Sequence, residues 1–196
     1  MPQKAMSGEE LPDPSHLPHA DERELHKVVS RLFEDSEKLL SIAVPLLSSS
    51  ASITYAVFIS ALRRDLKAHV PPVAEYTSPD RSESLRTLDS ILNAHPRLGE
   101  KKTNLSSSSA AEQANLQSST DQAQAEELKR LNAEYEQRFE GLRYLVFVNG
   151  RGRREILEDV QRRIERGDPR LERLEATDAL CDIAMDRVQK IGVRVD

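Results

Sequence analysis

A chain of 196 residues with 28 Lys plus Arg against 33 Asp plus Glu has a formal charge of −5, and such near-balance excludes the broad basic surface that binding to nucleic acid or an anionic membrane requires. Hydrophobic residues make up 38% and charged residues 31%, with 7 Gly and no Trp, a composition that fits a polar-surfaced helical domain and excludes a turn-rich all-β fold. Cys181 is the only cysteine, which excludes an intrachain disulfide and a Cys-rich zinc site.

Taken in chain order, residues 1–20 carry Pro2, Pro12, Pro14 and Pro18 and predict an extended, Pro-rich lead-in. From Asp21 the pattern turns helical. Leu25, Val28, Val29, Leu32, Phe33, Leu39, Leu40 and Ala43 recur at spacings of three and four, with a gap at Ser36. Asp21 suits an N-cap. A second helix is predicted over 53–67 and is stopped by Val70-Pro71-Pro72. After a loop over 70–82, a short helix over 82–93 ends before His95-Pro96.

A polar linker follows at 101–109, and one long helix or two stacked ones are predicted over 109–139. Leu142 to Val148 is the one strongly apolar, β-prone run, closed by the turn signal Asn149-Gly150. A helix over 153–166 and a last one running to about Lys190 are separated by Gly167-Asp168-Pro169, with Asp168 as N-cap and Pro169 at the first helical position. The expectation is an all-α fold: one compact domain of about seven helices over 21–190, with an apolar extended segment near 142–148 and a tail at 191–196.

The chemistry-bearing motifs are few. No Gly-rich phosphate loop, Gly-x-Ser-x-Gly elbow or helical His/Glu metal spacing occurs, so no metal site is expected. His95-Pro96-Arg97-Leu98-Gly99 stands at a predicted helix end, where an imidazole is often only structural. Ser109-Ala110-Ala111-Glu112-Gln113 fits a capping box. The arginines of 151–173 alternate with acids and read mostly as an ion-paired helix face.

In this order, the segments at 95–99 and 109–113, the stretch from Tyr135 through Phe139 and Gly141 to Gly150-Arg151, and Ile156-Leu157 with Arg163-Ile164 resemble the 2-oxo-4-hydroxy-4-carboxy-5-ureidoimidazoline (OHCU) decarboxylase family of urate breakdown. Phe33-Glu34-x-Ser36 extends the resemblance. The sequence departs from the family pattern at Gly141-Leu142-Arg143-Tyr144-Leu145, where an aromatic-proline pair is frequent.

The resemblance implies a small all-α homodimer without metal or organic cofactor, which converts OHCU to (S)-allantoin and CO2. By match of motif, His95 and Glu112 are the expected catalytic pair. Arg163 is expected to bind the substrate anion, and Ser109 and Gln113 the ureido and ring amides. Pro96 would shape the loop, and backbone groups at Leu145, Val146 and Phe147 would complete the pocket. The substrate's own ring C=N can accept the electrons left by CO2, so the protein need add only orientation, charge placement and a proton on one face.

The alternative is a non-catalytic helical interaction module of the same fold. A soluble intracellular protein is expected, cytoplasmic or peroxisomal. No secretory h-region or membrane span is present, and the last three residues differ from Ser-Lys-Leu.

Overall fold

The computed structural model describes residues 10–49, 54–72, 83–99 and 122–193. These form a short 3-10 helix (Pro14–His19) and seven α-helices: α1 (Glu22–Leu32), α2 (Glu37–Ser48), α3 (Tyr55–Ala68), α4 (Glu83–Leu92), α5 (Gln122–Arg138), α6 (Arg153–Arg166) and α7 (Pro169–Ile191). Among the described residues there is no strand, so the fold is all-α. No helix among them is long and apolar enough to cross a membrane.

Local chemistry sets most boundaries. The Asp21 side chain accepts from the Glu24 amide at 2.8 Å and starts α1. The helical pattern from Asp21 breaks at Phe33, whose backbone is extended, and Ser36 caps α2 by accepting from the Leu39 amide. Residues 33–36 thus form a corner, and this corner carries Glu34 toward the middle of the molecule. Gly167 ends α6 in the left-handed region, at φ 63°. Asp168 then accepts from the amides of Arg170 and Leu171, with Pro169 in the first turn of α7.

The long helix α7 is the spine, packed by α1, α3 and α4. Its buried residues go all the way round and include Glu172, Arg173 and Arg187 beside Ala176, Leu180, Ile183 and Ala184. A charge taken out of water persists only when paired. Each of the three has its partner on another element. Arg163 of α6 meets Glu172, Asp89 of α4 meets Arg173 with both guanidinium contacts at 2.8 Å, and Glu34 meets Arg187 at 3.0 Å. The Cys181 thiol is also buried on α7, and burial pushes its pKa up to about 12, which leaves it an unreactive packing group.

Residues 10–20 are packed rather than loose. Leu11 and Leu17 are buried in the core, the Leu11 amide donates to Gly192 O at 3.1 Å, and a parallel bridge joins Leu11 to Val193. The Tyr55 hydroxyl donates to Pro12 O at 2.9 Å and ties the same segment to α3.

Candidate active site

The segment 142–148 belongs to no helix, and among the described residues it has no neighbouring strand. Its backbone groups must still find partners, because orphaned polar groups in a buried place are costly. Side chains supply them. The Arg143 amide donates to Asn93 Oδ1 at 2.9 Å, Leu145 O accepts from Arg163 Nη1 at 3.2 Å, and Phe147 O and Val148 O accept from the Arg151 guanidinium. Leu142, Tyr144 and Leu145 are buried as well, which gives the run its apolar character.

Facing this segment is the loop after α4. The His95 amide donates to Leu92 O, and Pro96 prevents the helix from continuing. The loop is fastened further along: the Arg97 guanidinium pairs with Glu136, and Asn132 Nδ2 donates to Leu98 O at 3.0 Å. Gly99 closes it at φ +81°, and a Cβ there would lie 2.9 Å from Leu128 Cδ2.

Between loop and segment lies a recess of about 300 Å³. His95 and Pro96 line one side, Leu145, Val146 and Phe147 the other, and Ile183, Asp186 and Lys190 of α7 the floor and rim. Five of the residues expected from the sequence therefore share one cavity. Ser109, Glu112 and Gln113 lie outside the described residues.

Arg163 stands elsewhere. It lines the neighbouring recess with Arg151, Asp159, Asp178 and Asp182, and is not among the residues that border the cavity holding His95. It is 3% exposed, donates from Nε to Glu172 at 2.8 Å, and sits over the Tyr144 ring at 5.1 Å. Burial disfavours its charge, but the surrounding Tyr135, Glu172 and Tyr144 outweigh that and raise its pKa.

The arginine that the structure brings to His95 is Arg187, for which the resemblance implied no substrate role. Burial first, and then the Arg187 charge, push the His95 pKa down to about 4, while Glu34 acts the other way. His95 Nδ1 is sealed from solvent and meets no hydrogen-bond partner among the described residues. At neutral pH the imidazole is therefore uncharged, within the field of a buried guanidinium that also donates to Leu32 O. The signal that could have found Arg187 is a basic residue on the apolar side of the last helix, one turn after Ile183.

A depressed histidine pKa has a consequence for stability. The unfolded chain binds this proton from about pH 6.5 downward, and the folded one only near pH 4. Above pH 6.5 the stabilisation is complete, and it is lost as pH falls through that window. Between pH 7 and pH 5 the wild-type protein should lose on the order of 1–2 kcal/mol more than the His95→Asn variant does, in paired urea titrations. Equal losses would show that His95 is not held neutral.

The fold and cavity define an all-α, single-domain protein with an imidazole set in a recess the size of a small molecule. A sequence model of the family described as OHCU decarboxylase matches residues 18–189, and the chain belongs to that family of carboxy-lyases. One similar solved structure is a crystal structure of OHCU decarboxylase in the presence of (S)-allantoin. It is 17% identical, with a TM-score of 0.57, covering 88% of this chain and 99% of the other. Among curated proteins, no sequence matches this chain.

Proposed function

We propose that the chain decarboxylates OHCU to (S)-allantoin and CO2, with His95 as the proton-handling group of the recess. The observation that carries this reading is an imidazole held neutral beside a buried arginine, facing an apolar wall with backbone groups at Leu145 to Phe147, in a chain of this family. Val146 and Phe147 line the recess, and among the described residues no group accepts from their amides.

The chemistry follows from the substrate. Breaking the bond to the carboxylate releases CO2 and sends its electron pair toward the ring C=N, whose nitrogen takes up a proton. The resulting enol gives up its 4-hydroxyl proton as the carbonyl forms, and C5 gains a proton on one face. The balance is one proton consumed for each CO2 released. A neutral imidazole is suited to accept the hydroxyl proton and, once charged, to return one to C5. Glu112 is proposed as its carboxylate partner.

Arg187, which like Arg163 does not itself border the recess, is proposed to favour the substrate anion through its charge beside His95. Arg163 instead supports the Leu145 carbonyl from behind. The homodimer implied by the family resemblance, and a cytoplasmic or peroxisomal location, belong to the same reading.

The test generates OHCU in situ from urate with urate oxidase and hydroxyisourate hydrolase and follows circular dichroism. Rapid growth of the (S)-allantoin signal on adding the protein is expected. Slow decay to racemic allantoin, unchanged by a folded sample, would reject the decarboxylase reading in favour of a non-catalytic module.

A further inference from the structure

The two walls of the His95 recess come from parts of the chain some fifty residues apart, and one side chain joins them. Asn93, two residues before His95, donates from Nδ2 to Gly141 O at 2.7 Å and accepts at Oδ1 from the Arg143 amide at 2.9 Å. Arg143 returns the contact, donating from Nη1 to Asn93 O at 3.2 Å. The carboxamide thus acts as a short piece of backbone, pairing with the 141–143 backbone as a neighbouring strand would.

Its own base is fixed. The Asn93 amide donates to Asp89 O, and the Asp89 side chain is held in the bidentate pair with Arg173 on α7. The orientation of the amide is set by its neighbours, since only Oδ1 can accept from an N–H and only Nδ2 can donate to a carbonyl.

We propose that Asn93 is a positioning residue of the site: its carboxamide locks the loop presenting His95 to the 141–143 backbone and so sets the gap between the imidazole and the Leu145–Phe147 wall. Other residue types cannot do this. Aspartate keeps an acceptor for Arg143 but turns a second oxygen toward Gly141 O. Glutamine is one methylene too long, and alanine makes neither bond. Without the lock the loop retains Arg97 and Leu98 as anchors on α5, so the domain stays folded while the recess loosens.

The kinetic part of this proposal rests on the decarboxylase reading; the spectroscopic part does not. In Asn93→Ala, kcat for OHCU is expected to fall about 10- to 100-fold with KM changed less than about 3-fold, as misplacement of a reacting group by an ångström would cause. Separately, the His95 ring titration followed by NMR should move from near 4 toward 6.5 as water enters. The charged groups around that ring, Arg187, Glu34, Asp186 and Lys190, are unchanged in the variant.

Asp168→Ala, which removes the α7 N-cap far from the recess, serves as the control for lost stability alone. It should leave both kcat and the titration at wild-type values. Wild-type kcat together with a wild-type His95 titration in a folded Asn93→Ala variant would overturn the proposal. Should the alanine variant not fold, Asn93→Asp, which keeps the Arg143 acceptor, decides it by the same two readings. A wild-type protein inactive on OHCU would sink the proposed function, while the titration alone would still judge Asn93.

Discussion

Replacing His95 with Asn is expected to lower stereospecific allantoin formation by about 10²- to 10⁴-fold while leaving the protein folded at neutral pH. The two halves of this result have separate causes. The imidazole Nδ1 is sealed and has no hydrogen-bond partner among the described residues, so the replacement breaks no bond at that atom. Asn is close in size and fills most of the same space, but it cannot accept and return a proton. Circular dichroism of the allantoin formed and thermal unfolding of the same sample measure both halves together. A folded His95→Asn variant with full activity would remove His95 from the reaction.

The second large effect is structural. Glu172 is fully buried and receives the Tyr135 hydroxyl at 2.7 Å, Arg163 Nε at 2.8 Å and the Arg166 guanidinium. Glu172→Ala would remove the main counter-charge of Arg163, itself 3% exposed, and leave a tyrosine hydroxyl without its acceptor. Breaking a buried pair from one side costs roughly 3–5 kcal/mol, far more than an intact pair contributes against an apolar substitute. Urea unfolding should show a loss of about 3 kcal/mol or more. Glu127→Ala, which breaks an exposed pair with Arg130 on α5, should show no resolvable change. Similar small losses in both variants would mean that the buried network is not holding α6 against α7.

Much of this fold was legible because its causes are local. Asp168 and Pro169 announce the start of α7 in four residues, and the 153–166 helix follows its apolar spacing. That 142–148 interrupts the helices was legible too, from β-branched and aromatic residues closed by Asn149-Gly150. Its lack of a neighbouring strand was not, since composition does not say what a segment pairs with.

The candidate site divides in the same way. The His95-Pro96 loop could be found by motif, and the wall at Leu145 to Phe147 by its order in the chain. That Arg187 stands by His95 and pairs with Glu34 could not. The two partners lie 153 residues apart, and an ion pair of that kind leaves no periodic trace. Arg163 and Arg187 look alike in sequence, as basic residues on apolar helix faces, and only the packing around α7 tells which one stands by the imidazole. Glu112, Ser109 and Gln113 lie in the stretch outside the described residues.

The 142–148 segment is held by side chains rooted in three other places, Asn93, Arg151 and Arg163. In a sheet, register passes from strand to strand and each member constrains the next. Here the segment is held from outside, and it offers the recess main chain beside its apolar residues. The course of the chain at Leu142-Arg143-Tyr144-Leu145 is thus tied to anchors that lie outside the segment.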